Sequence, residues 1–363
     1  TKDGDIIGGI LGGILLLGGS ASLYTLKKDS ADGRFLMWKI TTKAIQKQPI
    51  TGTSLGGFPA AYAETQAEYM ASGKATEQEK LVAGCPEYAF NEYLQIGLEQ
   101  GLVGLALFIG WLGLLFYKGI KNKRYACCGG LMSLAIFAFS SYPLQLPEFW
   151  VVLIFLGVMS VTPDKDEIRE NQAESNGHRW GKQIFFMGIA ILGIGLFWMQ
   201  KDHYKAYQQW NKAQMFYNNK AYEAALEVYE PLYPLLKHKP EFLFEAAQSL
   251  SKTGQYEKAN EYLERAVLLS SDPMLYYVMA KNEQCLGEYR QAEKHLLHAI
   301  DILPERIYPY YLLMNLYTEP SYFQPAKLKM AIDSVLTKKP KVESSAIKEM
   351  KEKARSMLNN TSI

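Results

Sequence analysis

The stretch AQSLSKTGQYEKA, residues 247–259, decides the fold of the C-terminal half of the chain. AQMFYNNKAYEAA at 213–225 and AKNEQCLGEYRQA at 280–292 place Ala, Tyr and Ala at the same offsets. The shared tyrosines recur at intervals of 34 and 33 residues: Tyr222, Tyr256 and Tyr289. A period of this length is typical of a helix–turn–helix unit that buries its apolar face only by stacking on its neighbours. The pattern therefore predicts a helical solenoid, in which small alanines lie where paired helices touch.

These residues resemble tetratricopeptide repeats over about 201–340, with a divergent fourth unit at IYPYYLLMNLY, 307–317. The resemblance implies a concave face that binds a protein partner, whereas a spacer or stability module is the alternative. We expect a C-terminal helix or tail over 341–363. His295 and His298 lie one helical turn apart, but without a third ligand we expect ordinary histidines and no metal site.

The N-terminal part has a different composition. The 363 residues carry a formal charge of only +2, so no basic footprint indicates a nucleic-acid partner. About 20 apolar residues cross a bilayer as a helix, and five apolar runs are candidates: 6–26, 96–117, 126–142, 149–162 and 184–199. The predicted fold class is all-α, with polytopic transmembrane helices over 1–26 and 96–200, a long extracytoplasmic loop of amphipathic helices over 27–95, and the solenoid.

Lysine and arginine in short loops predict the orientation of the spans. The connections at 118–124 and 165–182 are basic, while the hairpin at 141–148 has no Lys or Arg. Cytoplasmic basic loops place that hairpin, the long loop and everything after residue 199 outside. Cys85 and Cys285 are both expected outside, and a disulfide between them is left open.

The long loop carries most of the chemical information, in ADGRFLMWKITTKAIQKQPITGTSLGGF at 31–58. An α-helix there would place Arg34 and Trp38 one turn apart and present a lysine stripe beside an apolar face. We expect the stripe, Lys39, Lys43 and Lys47, to be solvated; a helix lying on a membrane surface is the alternative. PITGTSLGGF predicts a flexible turn, and it lacks the spacing of a phosphate-binding loop.

A second stretch, AFNEYLQIGLEQGLVG at 89–104, places a polar cluster at the start of an apolar helix. It resembles the O-antigen ligase and polymerase family of membrane glycosyltransferases. Phe90-Asn91, nine further residues, and then Gly101 and Gly104 match the ligase pattern of a dyad, nine residues and Gly-x-x-Gly. Arg34 with Trp38, followed by the glycine-rich turn, looks like the basic helix that opens the family's large periplasmic loop.

The resemblance implies transfer of a glycan from an undecaprenyl-diphosphate carrier to an acceptor at the periplasmic face of the bacterial inner membrane. The acceptor would be lipid A core, a protein Ser/Thr or the growing glycan, with no nucleotide sugar, cofactor or required metal. A guanidinium stays charged and binds two oxygens at once, so Arg34 is the candidate donor site. Further candidates for substrate binding are Trp38, Asn91 and Glu99.

The sequence departs from the family pattern at the dyad, where Phe90 replaces a histidine and cannot accept a proton. Glu87, Tyr88 or Glu92 would have to activate the acceptor, and the two carboxylates are the catalytic candidates. The family has about twice this number of spans, so we expect a C-terminal portion of a larger protein or an inactive remnant. The alternative function is a catalytically degenerate, membrane-anchored repeat protein that recruits a partner in envelope polysaccharide assembly.

Overall fold

A computed structural model describes residues 28–163, 187–189, 191–193, 195, 197, 198, 200–340 and 342–360. Over these residues the chain is helical, with two short 3-10 helices and no strand. The predicted all-α class is therefore confirmed for the described part of the chain. The predicted span at 6–26 lies outside the described residues, and the one at 184–199 lies partly outside them.

The first group of helices contains the predicted loop and the apolar segments. Its members are α1 (Lys28–Lys47), α2 (Phe58–Ala71), α3 (Glu77–Val82), α4 (Glu92–Lys121), α5 (Tyr125–Ser140) and α6 (Pro147–Val161). Among the described residues, only α4 is long and apolar enough to cross a membrane; α5 and α6 are shorter apolar helices. The predicted runs at 96–117, 126–142 and 149–162 correspond to α4, α5 and α6.

The three loop helices share one apolar core. Leu36, Ile40 and Ala44 of α1 are buried against Phe58 and Tyr62 of α2. The apolar face of α1 is therefore covered by protein, and the alternative of α1 lying on a membrane through this face is wrong. A capping box at Thr76 and Glu79 begins α3, as the sequence TEQE indicates.

The lysine stripe is exposed, but two of its members are paired within the loop. Lys39 Nζ lies 2.6 Å from a Glu79 carboxylate oxygen, and Lys47 Nζ lies 2.7 Å from one of Glu68. Lys43 remains exposed, with its Nζ 5.4 Å from the centre of the Tyr69 ring. The stripe therefore ties α1 to α2 and α3 as well as facing solvent.

The second group of helices forms the solenoid. The paired helices are α7 (Lys201–Asn218) with α8 (Tyr222–Leu236), α9 (Pro240–Lys252) with α10 (Tyr256–Val267), α11 (Met274–Leu286) with α12 (Tyr289–Ile302), and α13 (Ile307–Leu316) with α14 (Pro325–Thr337). A final helix, α15 (Ser345–Asn360), packs on α14. The predicted divergent fourth unit is the α13–α14 pair.

The repeat residues occupy the positions that the sequence predicts. The motif alanines are at most 1% exposed: Ala213, Ala225, Ala247, Ala259, Ala280 and Ala292. The three shared tyrosines each begin the second helix of a pair. Gly254 and Gly287 have φ angles of 82° and 80°, which glycine adopts without strain, whereas Lys220 adopts 61° at the equivalent turn.

The solenoid docks directly on the loop helices. Ile302 and Leu303 of the solenoid belong to the same apolar core as Tyr62 and Phe58 of α2. Ser271 Oγ donates to the Pro86 carbonyl at 3.2 Å. The loop and the solenoid therefore share a buried interface.

All four cysteines are thiols, so the structure shows no Cys85–Cys285 disulfide between these two described residues.

Candidate functional site

Arg34 lies on the exposed side of α1, beside the end of α5. Its Nη1 is 3.5 Å from the Ser140 carbonyl oxygen, and its guanidinium carbon is 5.5 Å from the centre of the Phe90 ring. Within the described part of the chain, Arg34 forms no ion pair with an acidic side chain. The structure therefore leaves an exposed guanidinium whose contacts are a carbonyl and an aromatic ring.

Trp38, one turn further along α1, holds the chain that leads to Phe90. Its indole N–H donates to the Ala89 carbonyl at 3.1 Å, and its ring lies edge-on to Phe139 at 5.5 Å. These contacts fix α1 against both the segment before α4 and the end of α5. Trp38 therefore positions Arg34 and Phe90 relative to each other.

The dyad Phe90-Asn91 adopts an unusual local geometry. Phe90 has a φ of 50°, a left-handed conformation that is uncommon for a bulky residue. Asn91 is the N-cap of α4, and its side-chain oxygen accepts from the Leu94 N–H at 3.1 Å. Asn91 is 4% exposed, so its contacts are those of a helix cap.

An aromatic cluster adjoins the dyad, and the sequence reasoning overlooked one of its members. Tyr142 contacts Phe90 edge-on at 4.9 Å and stacks on Tyr88 at 5.2 Å. Tyr142 lies in the hairpin SSYPLQLPEF, and its position next to the proline of this hairpin was the available sequence signal. Burial and then the nearby Glu87 carboxyl raise the pKa of the Tyr88 hydroxyl, so this hydroxyl keeps its proton at neutral pH.

Glu92 is 1% exposed and binds the hairpin between α5 and α6. One carboxylate oxygen accepts from the Leu144 N–H at 2.7 Å, and the other accepts from the Gln145 side chain at 3.2 Å. A buried carboxylate is tolerated when its oxygens are satisfied in this way. The structure therefore gives Glu92 a role in holding the hairpin against α4.

Glu99 and Gln95 form a second buried polar link. Gln95 accepts from the Ala89 N–H at 3.0 Å and donates to Glu99 at 3.2 Å. The Glu99 carboxylate also accepts from the backbone of Gly56 and Phe58. This chain of bonds joins the glycine-rich turn to the segment before the dyad, and the sequence reasoning missed the part played by Gln95.

Helix α4 is broken at Gly101, the first glycine of the Gly-x-x-Gly element, and the turn at 49–57 packs against this break. Gly101 has φ 69° and ψ −176°, and the Thr53 N–H donates to the Leu98 carbonyl at 2.9 Å. A Cβ on Gly101 would lie 2.0 Å from the Ile50 carbonyl oxygen, and one on Gly52 would lie 2.5 Å from the Glu99 backbone. Only glycine fits at either position.

Glu87 faces away from this group, toward the solenoid. It is exposed and lines an open cavity of about 820 Å³ that lies between the loop and the repeats, together with Glu241, Asp272, Tyr277 and Arg306. The structure thus brings Arg34, Trp38, Phe90 and Asn91 together at one place. Glu92 and Glu99 form buried hydrogen bonds next to this group, Glu92 to the hairpin and Glu99 to the turn. Glu87 lies in the adjacent cavity.

His295 and His298 each lie beside an acidic side chain of this chain. His295 Nδ1 lies 2.9 Å from Glu283, and His298 Nε2 lies 3.4 Å from Glu64 across the loop interface. In the described ranges, no group of three His, Cys, Asp or Glu side chains is arranged to hold a metal ion.

Comparisons with known proteins match two separate segments of the chain. The family model described as O-antigen ligase matches residues 4–109. The model described as anaphase-promoting complex, cyclosome, subunit 3 matches residues 218–299, inside the solenoid. A comparison with curated proteins gives no match.

Several solved structures resemble part of the chain. MamA 41-end from Desulfovibrio magneticus RS-1 is 16% identical, with 44% of this chain and 78% of that chain covered and a TM-score of 0.32. A Podosopora anserina putative kinesin light chain with TPR-like repeats is 17% identical, with coverages of 43% and 88% and a TM-score of 0.34. The chain therefore contains a segment that matches the O-antigen ligase model and, after it, a helical repeat domain whose motif residues resemble tetratricopeptide repeats.

Proposed function

We propose that this protein takes part in glycan transfer from an undecaprenyl-diphosphate carrier to an acceptor, with Arg34 binding the diphosphate. The observation that carries the proposal is the exposed Arg34 guanidinium, which lies beside a backbone carbonyl and the Phe90 ring and forms no ion pair among the described residues. A guanidinium fork matches two phosphate oxygens at once. Trp38 and Asn91 would hold the backbone on either side of Phe90, Trp38 at Ala89 and Asn91 at the start of α4. Glu99 would hold the glycine-rich turn against α4.

The place of Arg34 relative to the apolar helices supports this role. Ser140, which Arg34 contacts, is the last residue of α5. Beyond the break at Gly101, α4 continues for about 20 residues, the length that crosses a bilayer. In a membrane, Arg34 would therefore lie at one end of α5, near the level where a lipid carrier presents its diphosphate.

The docked solenoid supports placing the repeats on the same side of the membrane as Arg34. The loop and the solenoid share a buried core, so neither can lie across a bilayer from the other. Basic residues gather at the opposite end of α4, at Lys118, Lys121, Lys123 and Arg124. The positive-inside rule then favours a periplasmic loop and periplasmic repeats at the inner membrane of a bacterium.

The cavity between loop and solenoid is the proposed acceptor side. Glu87 lines it and is exposed, so its carboxylate is available to accept a proton from an acceptor hydroxyl. Tyr88, the next residue after Glu87, stacks on Tyr142, and Tyr142 contacts Phe90. The acceptor is lipid A core, a protein Ser/Thr or a growing glycan, and the repeats would recruit it or a partner protein.

A second candidate function is a membrane-anchored recruiting protein without transfer activity. Phe90 has no proton-accepting group, and Asn91, Glu92 and Glu99 are engaged in a helix cap and in backbone contacts. These observations favour a scaffold in which the ligase-like segment anchors the repeats.

Donor binding tests the proposal. The purified protein in lipid nanodiscs should bind an undecaprenyl-diphosphate-linked glycan, and Arg34→Ala should weaken that binding at least tenfold, because a charge-assisted contact is worth about 1.5 to 3 kcal/mol. Lys43→Ala, an exposed cation on the same helix, should leave binding unchanged. Equal affinity of wild type and Arg34→Ala would remove Arg34 from the donor site and favour the scaffold.

A further inference from the structure

Two apolar side chains on the turn at 49–57 are unusually exposed. Ile50 is 66% exposed and Leu55 is 76% exposed, although other apolar residues of the loop form its core. The ten residues PITGTSLGGF, 49–58, contain no charged side chain. The turn therefore carries no charge whose desolvation would oppose its placement at the apolar edge of a bilayer.

Hydrogen bonds fix this turn to α4 at a defined height. The Leu102 N–H donates to the Pro49 carbonyl at 2.8 Å, and the Ser54 N–H donates to the Glu99 carbonyl at 3.0 Å. These bonds bracket the break at Gly101, beyond which α4 has the length and composition of a span. The turn therefore lies beside the first residues of that span.

The surface of α4 at this height is also apolar and exposed. Leu102 and Val103 are 53% and 55% exposed, and Leu107, about one turn further, is 70% exposed. Ile50 and Leu55 thus lie at the same end of an apolar surface that continues along α4. The close approach at Gly52 and Gly101 leaves little freedom for the turn to move away.

We propose that the turn at 49–57 is an interfacial membrane anchor, which inserts Ile50 and Leu55 into the acyl boundary of the outer side of the bilayer. The occupant of this surface is lipid, because the surface is continuous with the apolar face of a spanning helix and carries no charge. The inference rests on the membrane placement of α4 in the proposed function. Its consequence is that the C-terminal end of α1, which joins the turn, lies close to the lipid headgroups.

Spin-label accessibility tests the anchor in nanodiscs. Cysteine is introduced at Leu55 after Ser replaces the four native cysteines: Cys85, Cys127, Cys128 and Cys285. A nitroxide at position 55 should collide with lipid-soluble oxygen several-fold more often than with a water-soluble nickel chelate. Ile50→Cys should give the same result, and Ser72→Cys, exposed at the end of α2, should give the reverse.

A nitroxide on Leu107→Cys, within the proposed span of α4, shows whether a negative result concerns only the turn or the membrane placement of α4 itself. If position 107 is reached by oxygen but position 55 is reached by nickel, the turn lies in water and the anchor is wrong while α4 still spans. If position 55 is reached by neither reagent, protein covers the turn and the anchor is also wrong. If nickel reaches position 107, the membrane placement itself fails.

Discussion

The side-chain amide of Gln66 donates a 2.8 Å hydrogen bond to the backbone carbonyl of Ile302, 236 residues further along the chain. The same amide nitrogen donates to the Gly84 carbonyl at 3.0 Å, and the Tyr62 hydroxyl donates to the amide oxygen at 2.6 Å. Gln66 is 0% exposed. One buried side chain therefore joins α2, the segment before α4 and the solenoid.

Gln66→Leu should loosen this junction. The variant leaves the Ile302 carbonyl and the Tyr62 hydroxyl buried without this partner, at a cost of about 1 to 3 kcal/mol for each group left unpaired. We expect a lower Tm and faster proteolysis between loop and solenoid. Gln46→Leu, the same change at an exposed position of α1, is the control. Equal Tm for Gln66→Leu and wild type would show that the junction contributes little.

Gly101→Ala should displace the turn from the break in α4. The added Cβ would lie 2.0 Å from the Ile50 carbonyl oxygen at a φ of 69°, and a residue strained in this way costs about 1 to 3 kcal/mol. We expect a lower Tm and faster cleavage within the turn. Gly110→Ala, later in α4 where a Cβ meets no neighbouring atom, should be tolerated. Similar effects of both variants would argue against a specific fit at Gly101.

Local and periodic features of the fold could be read from the sequence. The tyrosine spacing and motif alanines predicted the solenoid, because each repeat contacts mainly its neighbours. The TEQE sequence at 76–79 has the spacing of the capping box that begins α3, since its two partners are three residues apart. Such features depend on short-range geometry, so a single sequence contains them.

Long-range contacts explain what the sequence reasoning missed. Glu92 and Glu99 have polar partners that come from the hairpin and the turn, far away in the chain. Their positions at the start of α4 were predictable, but those partners were not. The docking of Gln66 on the solenoid is a relation of the same kind. Whether these residues serve glycan transfer stays a prediction.

Acid should weaken the link between α1 and α3. Burial alone raises the pKa of the Glu79 carboxyl, but hydrogen bonds from Lys39, the Thr76 backbone and Tyr69 outweigh it and lower that pKa to about 2. Glu79 thus stabilises the fold above its unfolded pKa of about 4.3, and this contribution is lost as pH falls toward about 2. Glu79→Gln should lower Tm at neutral pH, and the difference from wild type should shrink in acid.

The control for this pH dependence is Glu77→Gln on the same helix. The Glu77 side chain is 85% exposed and pairs with Lys80. Exposed pairs contribute little to stability, so Glu77→Gln should change Tm slightly at every pH. A Tm difference for Glu79→Gln that stays constant from neutral to acid pH would contradict the assigned cause.

Glu87→Gln tests the proposed acceptor base. If the Glu87 carboxylate takes a proton from the acceptor, the transfer rate should fall about a hundredfold or more, since general bases contribute about 10² to 10⁴ in rate. Tm and donor binding should stay unchanged because Glu87 is exposed and apart from Arg34. Glu241→Gln, in the same cavity, is the control. An unaltered rate for Glu87→Gln would show that Glu87 is not the acceptor base.

Glycan transfer by Arg34 variants tests the central claim most directly. The assay follows transfer from a purified undecaprenyl-diphosphate-linked donor, with protein level and Tm measured for each variant. Arg34→Ala should lower the rate at least tenfold, and Arg34→Lys should restore only part of it, because an ammonium cannot reproduce the planar fork. Lys43→Ala should retain the wild-type rate. A well-folded Arg34→Ala protein with near-normal turnover would contradict the account.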